Sequence, residues 1–72
     1  MKYNYNKLKG LIIEMYGSQK KFTKEIGMSE RSLSLKLNNK VPFTQPEIEC
    51  IVDKLNIEAV DIPIYFFVKQ VQ

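Results

Sequence analysis

At three places a residue able to cap a helix N-terminus stands directly before apolar residues at helical spacing: Ser18, Ser29 and Thr44. A capping oxygen accepts a hydrogen bond from an orphan backbone N–H of the first turn, so each marks a helix start. Gly17 and Gly27 supply the matching stops, because glycine closes a helix C-terminus in the left-handed conformation at little cost. A chain punctuated this often predicts short helices. The fold class is all-α: a compact bundle of about five short helices within a single domain over residues 1–72.

The apolar spacing agrees. Leu8, Leu11, Ile12 and Met15 recur at i, i+3, i+4 and i+7 and predict a first helix over Asn6–Tyr16. Phe22 and Ile26 mark the inward face of a second, Ser18–Ile26. Leu33 and Leu37 do the same for a third, Ser29–Leu37, before Asn38-Asn39-Lys40 turns the chain. The fourth opens on Thr44-Gln45-Pro46-Glu47, a capping box with proline in the first turn. Ile48, Ile51, Val52 and Leu55 continue it, and Asn56 ends it. Pro63 rules out a long helix through the apolar tail, residues 62–72. A short helical turn with an extended end fits that tail, and so does a strand from Tyr65 to Val71.

Seventy-two residues bury limited surface, which makes partner chains an expectation. The chain has no His, so the usual general base near neutral pH is missing. One Cys without His builds no structural zinc site. Cys50 lies off the apolar stripe of the fourth helix and reads as a free, inert thiol. No enzyme, metal, cofactor or small-molecule ligand is expected. No apolar run suits a membrane span, and the start lacks a signal-peptide core, so a cytoplasmic protein is expected.

Charge is unevenly placed. Residues 1–40 hold nine Lys/Arg against three acids, a net +6, while residues 41–72 hold two Lys against five acids, a net −3. Such asymmetry points to a basic binding surface in the N-terminal half, or to a solvated lysine-rich face. The second and third helices, joined through Gly27, have the layout of a helix-turn-helix, whose second helix can enter the major groove of DNA. A plain αα-hairpin has the same layout.

The run Gln19-x-x-Phe22-Thr23-x-x-Ile26-Gly27-Met28-Ser29-x-Arg31-Ser32-Leu33-Ser34 resembles the pattern of lambda repressor- and Cro-like DNA-binding domains. Leu35 to Thr44 and the ending Tyr65-Phe66-Phe67 resemble small Cro-like regulators of phages and prophages of Gram-positive bacteria. The chain departs from the pattern at Thr23, where alanine is usual and the hydroxyl needs a partner such as a backbone carbonyl one turn earlier. It departs again at Lys36, where an apolar residue is usual.

With Leu33 inward, Arg31, Ser34 and Leu35 fall outward on the third helix, with Glu30 at its margin. Arg31 can read guanine, Glu30 cytosine, and Leu35 a thymine methyl. A solvated Arg, a helix N-terminal acid and an ordinary exposed Leu are the alternatives. The resemblance implies phosphate contacts from Gln19 and Asn38. Asn39 sits where relatives often have Gly, which predicts a left-handed turn. Lys20, Lys36 and Lys40 would supply positive charge around the groove, with Lys21 nearby. Lys2, Lys7 and Lys9 would track the backbone if the N-terminus reaches it.

Function follows as an expectation: a sequence-specific regulator binding a double-stranded DNA operator as a homodimer. Relatives pair two copies across half-sites. Ile62, Ile64, Tyr65, Phe66, Phe67 and Val68 are apolar surplus and would form the dimer surface, remote from the third helix. The rival expectation is a protein–protein module, such as a small antirepressor that keeps the bundle without binding DNA.

Overall fold

The computed structural model describes residues 2–71; Met1 and Gln72, the ends of the expected domain and tail, lie outside them. Five α-helices and one 3₁₀ turn follow one another: α1 (Asn6–Tyr16), α2 (Gln19–Ile26), α3 (Glu30–Leu37), α4 (Gln45–Lys54), the 3₁₀ turn (Ala59–Asp61) and α5 (Ile62–Phe66). The described residues hold no named strand. One isolated antiparallel bridge joins Tyr3 to Lys69. The all-α expectation holds.

The caps do what their chemistry requires. Ser18 accepts from the Lys21 N–H at 3.1 Å, and Ser29 from the Ser32 N–H at 3.0 Å. The Thr44 box is complete: the Glu47 N–H reaches Thr44 Oγ1 at 3.3 Å, and Glu47 Oε1 accepts from the Thr44 N–H at 2.8 Å. Gly27 takes φ +66°, the left-handed conformation that lets α3 begin almost at once.

The core is the predicted set with corrections. Leu8, Ile12, Phe22, Leu33 and Ile51 are fully buried, joined by Leu37, Leu55, Ile57, Tyr5 and Phe66. Met15 is exposed instead of completing the α1 stripe. Tyr16 turns inward there, stacks on Phe22 at 4.9 Å, and donates from its hydroxyl to the Lys54 carbonyl at 3.0 Å. Thr23 is buried, and its hydroxyl donates to the Lys20 carbonyl at 2.7 Å, one turn back as expected.

The tail forms a helical turn with an extended end, not the alternative strand from Tyr65. Pro63 stands in the first turn of α5, where a missing N–H does little harm. Beyond α5 the chain runs beside the N-terminal segment. The Asn4 N–H donates to the Val68 carbonyl at 2.7 Å, and the Gln70 N–H to the Lys2 carbonyl at 2.9 Å.

Candidate functional site

Two surfaces compete for the functional role. The first is the α2–α3 face. Six predicted residues, Gln19, Lys20, Glu30, Arg31, Ser34 and Leu35, meet there around an open groove of about 760 Å³. Ile13 of α1, 48% exposed, also lines it. Glu30 and Arg31 are exposed in the first turn of α3, and Leu35 is half-buried. Ser34 lends its carbonyl to the Asn38 side-chain amide at 2.9 Å.

Two of the expected phosphate contacts are spoken for. Lys36 is not on the groove but buried, with Nζ 2.8 Å from Glu47 Oε1 and 3.1 Å from the Pro42 carbonyl. Its position on α3, three residues after Leu33, points inward, and the ion pair is what allows a lysine there. Asn39 has the predicted left-handed backbone, with φ +62°. Its side chain is nevertheless engaged, accepting from the Tyr3 N–H at 2.9 Å and donating to the Tyr3 carbonyl at 2.8 Å. Asn38 and Lys40 remain exposed, but the N-terminal segment lies against that end of α3.

The second surface was not legible as a site in the sequence. Tyr3, Tyr5, Phe43, Phe66 and Phe67 converge, with Val41, Pro42 and Ile48 between the rings, on a cleft of about 340 Å³. The rings meet edge to face: Phe43 on Tyr5 at 5.3 Å, Phe43 on Phe66 at 5.6 Å, and Phe67 on Tyr3 at 6.0 Å. Such geometry places the positive edge of one ring on the negative face of another. Burial, reinforced by the neighbouring Tyr3, pushes the Tyr5 hydroxyl above its ordinary value. The rim is apolar and open: Phe67 is 50% exposed and Val41 39%.

This arrangement corrects the expected dimer surface. Phe66 is 1% exposed and belongs to the core, and Ile62 and Tyr65 pack partly against it. Tyr65 also carries Lys7 over its ring at 5.5 Å. Ile64, Phe67 and Val68 alone of the six face solvent. Nor is the tail remote from α3. It pairs with residues 2–4, which Asn39 ties to the end of that helix.

No described helix is long and apolar enough to cross a membrane. Among the described residues no group of three or more His, Cys, Asp or Glu could hold a metal ion. Cys50 is a free, half-buried thiol.

The comparisons with known proteins bear on the class of protein that this chain resembles. The search of curated proteins returns no match. The fold superposes on the solution structure of the modulator of repression (MOR) of the temperate bacteriophage TP901-1 from Lactococcus lactis. The TM-score is 0.81 and the identity 44%, covering 100% of this chain and 97% of that one. These findings overturn the Cro-like resemblance and, with it, the expected operator-binding regulator: the full-length similarity is to a modulator of repression. Residues 1–69 match the family model described as protein of unknown function (DUF739), and the chain belongs to that family.

Proposed function

We propose that this chain is a protein–protein interaction module that modulates repression in a phage, acting on a repressor protein through its aromatic cleft. The observation that carries the reading is the 44% identity, across the whole chain, to a modulator of repression. The cleft supplies the means. Exposed apolar surface gathered in one place marks an interaction site, and aromatic anchors carry most of the energy in such interfaces. An apolar or aromatic side chain of the repressor fills the cleft between Val41 and Phe67, and the rigid walls keep the entropy cost of docking low.

The test is a TP901-1 promoter reporter held by that phage's repressor, with this chain supplied in place of the phage's own modulator. Expression should shift with the dose of this chain, and Val41→Asp should abolish the shift while the chain stays folded by circular dichroism. An unchanged reporter at every dose, where the phage's modulator acts, overturns the reading.

A further inference from the structure

We propose that Lys36 is a positioning residue for the aromatic cleft: with Glu47 it holds the 38–44 loop in the one shape that completes the cleft wall. The inference rests on the cleft being the docking surface. Lys36 stands at an inward position of α3, and its side chain is 9% exposed. An ammonium buried there loses hydration that its ion pair only partly returns, so an apolar residue of similar volume would serve stability as well or better. What the lysine adds is direction. Pro42 has no N–H to anchor it, and Nζ takes its carbonyl at 3.1 Å. The same Nζ reaches Glu47 Oε1 at 2.8 Å, and that oxygen also accepts from the Thr44 N–H at 2.8 Å.

One ammonium and one carboxylate oxygen therefore fix the loop at Pro42 and Thr44, on either side of Phe43. The Phe43 ring packs between Tyr5 and Phe66, and Val41 is the exposed lip of the cleft. On the other side of the loop, Lys40 N–H donates to the Leu35 carbonyl at 2.8 Å, and Asn39 holds Tyr3. Without Lys36 the stretch from Val41 to Phe43 loses the bond that sets its middle, and the flanking bonds of the Lys40 and Thr44 amides open more often.

The double variant Lys36→Met/Glu47→Gln separates this role from stability. Methionine fills the buried space, and Gln at the third helical position still completes the Thr44 capping box. The variant should keep a cooperative thermal transition near the parent's. The Lys40, Val41 and Thr44 amides should exchange at least about tenfold faster relative to the α1 amides, because the loop opens locally. The dose needed in the TP901-1 reporter should rise in step. Should Lys36→Met lose its cooperative transition, Glu47→Gln alone, with the cap intact, carries the same expectation at smaller size. Loop amides that exchange at the parental rate overturn the proposal, as does a loosened loop with an unchanged reporter response. The reading of the cleft fails separately, when folded Val41→Asp acts on the reporter like the parent.

Discussion

The α2–α3 face and the aromatic cleft draw on the same small chain in opposite ways. The face is local. Its groove comes mainly from residues 18–35, two capped helices held at a fixed turn, and helical stepping from Leu33 places each side chain. The cleft is assembled from residues 3 and 5, 39, 41–43, 48 and 66–67, so the two ends of the chain must meet before it exists. The face carries charge, whereas the cleft carries rings. A surface built from neighbouring residues is therefore easy to find along a sequence, and the harder one to find is the surface that closes the fold.

The sharpest way to break this contrast is at the cleft floor. Phe66 is fully buried and packs on Phe43, so Phe66→Ala should cost about 3–5 kcal/mol, transfer and cavity included. Small domains have little more than about 5 kcal/mol in hand, so the variant should be largely unfolded at 25 °C by circular dichroism. Retained folding with a denaturant midpoint like the parent's would show that the floor is not core. Phe66 therefore cannot report on docking at the cleft separately from folding. Phe67, half-exposed on the rim, suits that purpose: Phe67→Ala should leave the chain folded and weaken partner binding by about 2 kcal/mol or more if it is an anchor. On the other face, Arg31→Ala should leave stability within about 0.5 kcal/mol and the reporter unchanged. A large reporter effect from Arg31 with none from Phe67 would reverse the assignment of the two surfaces.

Legibility divides along the same line. The helix starts and the three caps follow from short-range chemistry, and the Thr23 hydroxyl bond and the left-handed Asn39 from positions that the resemblance singles out; all appear. Lys36 does not follow, because a lysine side chain reads as solvated while its helical phase points inward. Its phase beside Leu33 was the available signal, and Glu47 at the third position of the capping box was its partner. Met15 and Tyr16 exchanged roles because the helix end faces α2 and α4, and Tyr16 satisfies both a ring and a carbonyl there. The cleft has no period to betray it. Its traces were the alternating Tyr3 and Tyr5, the three apolar residues in the Val41–Phe43 turn, and the apolar surplus at Phe66 and Phe67.

Acid should sharpen the view of the loop. Burial pushes the Glu47 carboxyl up, but hydrogen bonds from Lys36 and Thr44, with the Lys36 charge, outweigh it and hold the group below its ordinary value of 4.5. A depressed folded value means the unfolded chain takes up the proton first. The contribution of Glu47 is thus fully present above the ordinary value and is lost as pH falls through the lower folded one. Glu47→Gln should flatten this part of the stability–pH curve, read from urea midpoints in acid; identical curves for parent and variant would mean that the pair does not hold the carboxylate.

Asn39 ties the two regions together. Asn39 adopts φ +62°, which costs an ordinary side chain strain that glycine avoids. Asn39→Gly therefore relieves strain while removing both bonds to Tyr3. Each such bond contributes about 0.5–1.5 kcal/mol net, and the strain returned is of order 1 kcal/mol. Two bonds together outweigh the strain, so the thermal midpoint should fall modestly, by the equivalent of about 1 kcal/mol. Locally the effect should be plain. Tyr3 loses its tie to the end of α3, and the edge contact between Tyr3 and Phe67 at 6.0 Å loses its support. The Tyr3 and Asn4 amides should then exchange faster while those of α2 do not. Asn39→Ala loses the same bonds and keeps the strain, so it should be the less stable of the two. Should Gly and Ala prove equally stable, the left-handed turn is not what fixes Asn39. Should the Tyr3 amide stay protected in both, the pairing with the C-terminal tail alone holds the N-terminal segment, and the cleft stands independent of the α2–α3 face.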